Sequence, residues 1–231
     1  GMECAYAPYN WSQPSADGGA VKIAGSNEYA YGYDVMIAKK LADSMGADLE
    51  IHKIEWDGLA PAVVSGKIDA AIAGMSITSK RKESVDFTKP YYYATVVALV
   101  KKDSPQAQAK SVADLKGSIA TSQLNTIWYD QIDQVPDVKK LPAIDNVPGM
   151  IVELKSGKCN LIVTDIPTAK AAAFANPDLT MVTFPEDKGF KTSKKGNKEL
   201  ADAMNKVLSG MTEADFNKIM DEAIKKQPLA K

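Results

Sequence analysis

Along most of this 231-residue chain, short apolar runs alternate with segments in which apolar residues recur every three or four positions. The first pattern is typical of strands and the second of amphipathic helices. This alternation favours α/β layers, because parallel strands need a crossover helix to connect them. We therefore predict an α/β fold in which each half of the chain forms a mainly parallel sheet flanked by helices.

In the first half of the chain, the patterns predict helix 34–44, strand 49–54, helix 56–64 and strand 70–73. Asp34 is interpreted as the N-cap of the first helix, and Gly46 is expected to end it. A β-branched run over 94–102 predicts a strand that enters a second domain. For the second half, we predict strands 118–121, 139–141 and 160–164, helices 126–134, 147–156 and 167–174, and two closing amphipathic helices, 198–208 and 213–225.

Composition excludes several classes of function. Lys and Arg number 28 against 29 acidic residues, so no net charge attracts nucleic acid or an anionic membrane. No apolar stretch approaches the roughly 20 residues that span a bilayer. Cys4, Cys159 and the single His52 lack metal-ligand spacing, so we expect neither a metal nor a cofactor. Buried free thiols are favoured over a Cys4–Cys159 disulfide. Because the chain opens abruptly at Gly1, we expect a leader and a first strand to precede it.

The run from Asp69 to Arg81 joins a predicted strand to a polar, cationic turn. Gly74 allows the backbone to approach a ligand closely, Ser76 and Thr78 offer hydroxyls, and Arg81 offers a planar fork of donors. Ligands of open α/β sheets bind at this end of the strands. The run therefore predicts a carboxylate receptor, although a solvated turn with a surface ion pair would have the same composition.

An amino-acid zwitterion needs donors for its carboxylate and acceptors for its ammonium. Polar and aromatic residues at other points of the chain extend the predicted site to Glu3, Tyr6, Trp56, Gln123, Thr126 and Asp165. We expect Arg81, Ser76 and the first-turn N–H of the Thr126 helix to bind the carboxylate. Asp165 and the Gly74 carbonyl are expected to bind the ammonium.

With these motifs in view, the chain resembles the polar amino-acid-binding proteins of ABC importers, the group of the glutamine, lysine/arginine/ornithine and histidine receptors. The resemblance rests on Gly-Tyr-Asp-Val at 32–35, on Trp-Asp-Gly-Leu-Ala-Pro-Ala at 56–62 and above all on the block 66–92. It implies a two-lobed periplasmic-binding-protein-like (type II) fold with the ligand in the interlobe cleft. Lobe 1 would be formed by residues 1–94 and 191–231, and lobe 2 by residues 95–190.

The resemblance also implies a monomeric, non-catalytic receptor that closes two lobes over a small-molecule amino acid and presents it to an ABC transporter permease. We expect it in the periplasm or outside the cell, attached to the membrane at most through a lipid anchor outside this chain. Tyr6 and Trp56 would sandwich the ligand side chain, with Glu3 and Gln123 at its end. This arrangement favours a cationic ligand, arginine or lysine, with glutamine as the second choice.

Alternatives remain for several of these residues. Core packing is the alternative for Tyr6 and Trp56, and helix capping is an alternative or additional role for Asp165. Tyr91 and Tyr92 are interpreted as hinge packing. We also consider a cyclohexadienyl or arogenate dehydratase-like enzyme, for which Glu3 is the one nearby general acid, and the ligand-binding domain of a sensor or receptor.

Three features depart from the family pattern. Asn125-Thr126 stands where the family usually has Gly-Thr, and Trp128 follows at a position unusual near the pocket. The chain also passes from Gly189 into Lys194-Lys-Gly-Asn without the expected second crossing strand. These departures raise questions about the turn before Thr126 and about the hinge.

Overall fold

The computed structural model of the protein describes residues 1–185, 187–190 and 208–227. These residues divide into two compact units. Unit 1 contains residues 1–93 and 208–227, and unit 2 contains residues 94–185 and 187–190. The α-helices of the described residues are α1 Tyr33–Met45, α2 Leu59–Val64, α3 Ile127–Gln131, α4 Val147–Ser156, α5 Ile166–Ala175 and α6 Glu213–Lys226. The strands are β1 Ala5–Tyr6, β2 Asn10–Gln13, β3 Val21–Lys22, β4 Tyr29–Tyr31, β5 Val96–Lys101, β6 Ile119–Thr121, β7 Lys139–Lys140, β8 Leu161–Asp165 and β9 Leu179–Val182.

Unit 1 contains a four-stranded antiparallel sheet in the order β1-β2-β4-β3. None of these short strands is predicted by hydrophobic alternation, since they carry aromatic and polar residues. Within the described residues of unit 1, parallel pairing is limited to isolated bridges between Met2 and Lys53 and between Ile23 and Ile51. The predicted strand 49–54 therefore consists of two bridged positions in an otherwise unpaired extended segment.

The prediction that residues 70–73 form a strand covered on both faces is wrong. Among the described residues its backbone bonds to Gly1, whose amine donates to the Ala70 carbonyl at 2.7 Å and whose carbonyl accepts from the Ile72 N–H at 3.0 Å. Ala73 is buried, but the three residues before it are half-buried. Because pairing extends over one neighbouring residue, the apolar run forms an extended connection into the turn that follows.

Helix α1 begins and ends at glycines. Gly46 has a left-handed φ of 62° and ends the helix as predicted. At the start, Gly32 occupies the N-cap with a φ of 127°, and no side chain caps the helix there. Asp34 lies within the first turn, so its interpretation as the N-cap was wrong. A Cβ on Gly32 would lie 2.4 Å from the Tyr9 carbonyl oxygen, which explains why a glycine stands here.

Unit 2 contains a mixed five-stranded sheet in the order β7-β6-β8-β5-β9. Strand β6 pairs in parallel with β7 and β8, whereas β5 pairs antiparallel with β8 and β9. The four strands predicted for this half are all found, and β9 was not predicted. The α/β class holds, but neither sheet is mainly parallel. The sheet of unit 2 is mixed because the entering strand β5 lies opposite in direction to its neighbours.

The helices predicted for unit 2 are confirmed within a few residues at each end. Asn146 caps α4 by accepting the Gly149 N–H at 3.0 Å, and Gly157 ends it with a φ of 80°. Trp128 on α3 is buried in the core of unit 2, together with Leu161 and other apolar residues of the sheet. The departure at Trp128 is thus explained by packing.

Other predictions have mixed outcomes. Helix α6 confirms the prediction over 213–225, and Thr212 and Asp215 form a reciprocal capping box at its start. The predicted helix 198–208, apart from Leu208, and the segment 191–197 lie outside the described residues. Cys4 and Cys159 are buried free thiols, as expected, and burial raises their pKa values to about 12 and about 11. None of the described helices has the length and apolar character needed to cross a bilayer.

The glycines at the two ends of α1 allow a matched test. We predict that Gly32→Ala lowers the free energy of unfolding by about 3 kcal/mol, since the new Cβ would be strained in φ and would overlap backbone atoms. Gly46→Ala should cost about 1 kcal/mol, because its φ is also left-handed but nothing lies within 4 Å of the added Cβ. Urea unfolding of both variants measures the difference, and equal losses would contradict the proposed overlap at Gly32.

Candidate functional site

Arg81 folds back over the turn that contains it. Its side-chain Nη1 donates to the Ser76 carbonyl at 2.7 Å, and its backbone N–H donates to the Thr78 hydroxyl at 3.2 Å. The guanidinium carbon lies 5.3 Å from the centroid of the Trp56 ring. Burial lowers the pKa of Arg81 from its ordinary value. Three of the predicted site residues, Trp56, Ser76 and Arg81, are therefore brought together in unit 1.

Trp56 belongs both to this cluster and to the core. It begins the 3-10 turn Trp56–Gly58 that leads into α2, and its ring is buried among residues that include Met2 and Leu59. The alternative of core packing thus holds for Trp56, and the contact with Arg81 exists beside it. A ring fixed on one side by the core offers a rigid surface to a cation on the other.

Tyr6 and Gly74 meet in the same unit. The ring of Tyr6 stacks on that of Tyr9, with centroids 4.8 Å apart and planes inclined by 24°. Gly74 has a left-handed φ of 62°, and a Cβ there would lie 3.1 Å from the Tyr6 ring and 3.3 Å from the Tyr9 ring. The close backbone approach predicted at Gly74 is therefore an approach to these two rings. Glu3, three residues before Tyr6, is 2% exposed.

A chain of hydrogen bonds, buried at Asn10 and Asp34 and half-buried at Tyr91, reaches Gly74. The Gly74 N–H donates to the Tyr91 hydroxyl at 2.8 Å, and that hydroxyl donates to Oδ1 of Asp34 at 2.9 Å. Nδ2 of Asn10 donates to Oδ2 of Asp34 at 2.7 Å, and Oδ1 of Asn10 accepts the Cys4 N–H at 2.7 Å. Asn10 carries no sequence signal that would have singled it out, and Asp34 and Tyr91 were assigned other structural roles.

Tyrosine rings surround this chain of bonds. Tyr33 stacks on Tyr91 at 5.9 Å and meets Tyr92 edge to face at 5.7 Å, and its hydroxyl donates to the Tyr91 carbonyl at 2.6 Å. Burial, followed by the neighbouring Asp34 carboxyl, raises the pKa of Tyr33 and of Tyr91 well above the ordinary value. A tyrosine hydroxyl is protonated at neutral pH even at its ordinary pKa, so both hydroxyls can act as donors there.

In unit 2, the predicted residues follow strand β6. Gln123 is buried, and its Nε2 donates to the Asp145 carbonyl at 3.1 Å. Thr126 occupies the N-cap of α3, where its hydroxyl donates to the Gln123 carbonyl at 2.8 Å instead of capping the helix. Asn125 between them has a φ of 54°. Asparagine tolerates this left-handed conformation better than most residues, which explains how it replaces the glycine expected here.

Asp165 ends strand β8 and caps helix α5. Its Oδ1 accepts the Thr168 N–H at 2.8 Å, and the residue is 1% exposed. Helix capping, the alternative role considered for Asp165, is therefore observed. Because β6 and β8 are adjacent parallel strands, their carboxyl ends lie at the same edge of the sheet. Gln123, Thr126 and Asp165 thus follow two neighbouring strands at one edge of unit 2.

Residues 5–226 match the family described as "Bacterial extracellular solute-binding proteins, family 3". The chain belongs to this family. A relative named "Probable histidine-binding protein" from Campylobacter jejuni is 31% identical over 228 residues, which cover 97% of this chain and 82% of the relative. The "ABC transporter arginine-binding protein 1" of Escherichia coli is 30% identical over 86% of this chain and 83% of its own length. The resemblance to polar amino-acid-binding proteins of ABC importers is confirmed.

Solved structures agree with this assignment. An amino acid ABC transporter substrate-binding protein from Streptococcus pneumoniae, bound to L-arginine, superposes with a TM-score of 0.80 at 25% identity and covers 97% of this chain and 92% of its own. The predicted periplasmic-binding-protein-like (type II) fold is therefore confirmed. A further neighbour, with a TM-score of 0.74 and 31% identity over 96% of this chain and 93% of its own, is an ancestral amino-acid-binding protein described as a precursor of cyclohexadienyl dehydratase.

The capping bond of Asp165 leads to a stability test. We predict that Asp165→Ala lowers the free energy of unfolding by about 1 kcal/mol, because the Thr168 N–H loses its acceptor. Asp165→Asn keeps the accepting oxygen and should change it by less than about 0.5 kcal/mol. Asn146→Ala, which removes the equivalent cap of α4, serves as the control and should resemble Asp165→Ala. If urea unfolding shows that Asp165→Asn costs as much as Asp165→Ala, the charge rather than the capping oxygen stabilises the fold.

Proposed function

We propose that this protein is a non-catalytic receptor that binds a free polar or cationic L-amino acid and delivers it to an ABC transporter permease. The observation that carries the proposal is the Arg81 guanidinium, which is bonded to the Ser76 carbonyl and lies beside the Trp56 ring. A planar, oriented guanidinium is the group best suited to a carboxylate. Membership of the family supports a location in the periplasm or outside the cell, for which we further propose at most a lipid anchor and a monomeric state.

Each end of the zwitterion is assigned to residues of both units, which we propose to be the lobes of the receptor. Arg81 and Ser76 of unit 1, with Thr126 of unit 2, would bind the α-carboxylate. Asp165 of unit 2 and the Gly74 carbonyl would bind the ammonium. Support for Asp165 comes from its place after a strand that neighbours β6, at the edge where α/β proteins bind ligands. A carboxylate with two oxygens can cap α5 and accept from a ligand at once.

The side chain of the ligand is proposed to lie between Tyr6 and Trp56, with Glu3 and Gln123 near its end. Glu3 is a buried acidic residue, and a carboxylate near the end of the ligand side chain would favour a cationic group there. The arginine-binding relative and the arginine-bound neighbour support arginine as the first choice. Glutamine is the second choice, since Gln123 can bond an amide.

A dehydratase-like activity is the second candidate function, and the ancestral precursor of cyclohexadienyl dehydratase is what favours it. It would need a general acid, for which Glu3 is the candidate. Arg81 and Asp165 would suit the zwitterion of a free amino acid, and relatives named as histidine- and arginine-binding proteins favour the receptor. Incubation with prephenate or arogenate separates the two functions, since the receptor releases no aromatic product.

The ligand can be found by thermal shift with each of the twenty amino acids. We predict that arginine or lysine raises the melting temperature most, because a ligand that binds the folded state alone stabilises it by mass action. An affinity between nanomolar and micromolar, about 8 to 12 kcal/mol, is expected. If neutral amino acids alone shift the melting temperature, the cationic preference is wrong, and if none of the twenty does, the receptor function is wrong.

Arg81 is tested by substitution with a control at the neighbouring position. We predict that Arg81→Ala weakens amino-acid affinity by at least a hundredfold, because losing a buried charged partner costs about 3 to 5 kcal/mol. Lys80→Ala removes the same charge from an exposed neighbour and should leave affinity unchanged within a factor of two. Calorimetry measures both variants. Equal affinity of Arg81→Ala and the wild type would exclude Arg81 from the site.

A further inference from the structure

The proposed ligand contacts of unit 1 come from two segments far apart in sequence. Glu3 and Tyr6 lie in the first segment, residues 3–6, and Gly74, Ser76 and Arg81 lie in the second, residues 74–81. The hydrogen bonds described above run from the Cys4 N–H to the Gly74 N–H through the side chains of Asn10, Asp34 and Tyr91. These bonds therefore begin in one segment and end in the other.

We propose that Tyr91, Asp34 and Asn10 are positioning residues for ligand binding, which hold the two ligand-binding segments of unit 1 at a fixed separation. This inference rests on the receptor function proposed above. None of these three side chains is proposed to contact the ligand. Their action is on the backbone at Cys4 and Gly74.

The direction of each bond is determined by the chemistry of the groups. A tyrosine hydroxyl has one proton, and Tyr91 donates it to Asp34, so the oxygen can accept the Gly74 N–H. An amide of asparagine donates through nitrogen and accepts through oxygen, and Asn10 uses one for Asp34 and the other for Cys4. If the Tyr91 hydroxyl donated in the other direction, or if the Asn10 amide were flipped, two donors or two acceptors would face each other. The network therefore has one consistent arrangement.

Burial makes this arrangement rigid. Asn10 and Asp34 are both 0% exposed, so water cannot replace a lost partner at either side chain. A polar group that loses its hydrogen-bond partner lowers the stability of the fold far more when it is buried than when it is exposed. Burial, and then Asp34, raises the pKa of Tyr91 further above neutral pH, so the hydroxyl remains a donor in alkaline solution as well.

The position of Gly74 tolerates little movement. A Cβ at this residue would already lie 3.1 Å from the Tyr6 ring, so the backbone itself is close to that ring. Cys4 has a φ of 56°, a left-handed conformation that a non-glycine residue adopts only when its surroundings require it. Both ends of the network thus hold backbone in places where a shift would move a proposed ligand contact.

Tyr91→Phe removes the linking hydroxyl and keeps the ring. We predict that it weakens the affinity for the amino acid found by thermal shift about tenfold, which corresponds to about 1.4 kcal/mol. It should also raise the exchange rate of the Gly74 amide proton in NMR at least tenfold, since that proton loses its acceptor, while the amides of α1 keep their protection. The exchange measurement is made without ligand.

Tyr33→Phe is the matched control. It removes a hydroxyl from the buried tyrosine whose ring stacks on Tyr91, and the lost bond goes to the Tyr91 carbonyl rather than to Gly74. We expect it to lower the melting temperature as Tyr91→Phe does, but to leave affinity and Gly74 exchange within a factor of two of the wild type. A loss of affinity that appears equally in both variants would overturn the proposal in favour of general packing.

The remaining outcomes separate this inference from the receptor function. If the wild type binds an amino acid and Tyr91→Phe binds it as tightly, the positioning role is wrong and the receptor function stands. If the wild type binds none of the twenty, the receptor function is wrong, and the positioning role falls with it. If Gly74 exchange is unchanged in Tyr91→Phe, the hydroxyl does not hold that amide, whatever the affinity.

Discussion

Unit 1 depends on the hydrogen bonding of one buried carboxyl group, that of Asp34. A carboxyl without exposed surface would destabilise the fold by several kcal/mol if it had no partners. Asn10 and Tyr91 supply donors to its two oxygens, and its own N–H donates to the Tyr9 carbonyl at 2.8 Å. The carboxyl also lies in the first turn of α1, where the helix dipole favours negative charge. Strand β2, helix α1 and the segment at Tyr91 therefore meet at this group.

The same contacts explain why α1 begins as it does. The first N–H groups of a helix have no partner within the helix. At α1, the Tyr33 and Asp34 N–H groups donate to the Pro8 and Tyr9 carbonyls of the loop between β1 and β2. That loop can approach only because Gly32 has no side chain. The Asp34 carboxyl is therefore not needed as a helix cap, and it accepts hydrogen bonds from Asn10 and Tyr91.

Much of unit 2 could be predicted from sequence, and unit 1 much less, for a physical reason. Helix α4 has a capping asparagine, a proline in its first turn and a glycine after its end, and such local signals define its bounds without tertiary information. Strands β1 to β4 are short and carry aromatic and polar residues in place of an apolar run, so the hydrophobic pattern does not predict them. The apolar run before Gly74 predicts a strand, but the residue types of a run do not show whether another strand lies beside it.

In the candidate site, too, local features could be predicted from the sequence and long-range contacts could not. Residue types suited to a zwitterion could be recognised at Arg81, Trp56 and Asp165, because donors, acceptors and aromatic faces are local properties. Sequence could not show that the Arg81 guanidinium is held by the Ser76 carbonyl, nor that Asn10 takes part at all. The sequence predicts a helix cap at Asp34, because aspartate often has that role, but the actual partners of its carboxyl are 24 and 57 residues away.

These long-range contacts bear directly on affinity. A receptor that must order its binding groups when the ligand arrives loses part of the contact energy to that ordering. Arg81 is already oriented by Ser76 and Trp56, and Gly74 by Tyr91 and the two tyrosine rings beneath it. Each of these restraints is made between groups of unit 1 itself and requires no atom of the ligand. Differences in affinity among related receptors can therefore arise from residues that never touch the amino acid, and a comparison restricted to contact residues would miss them.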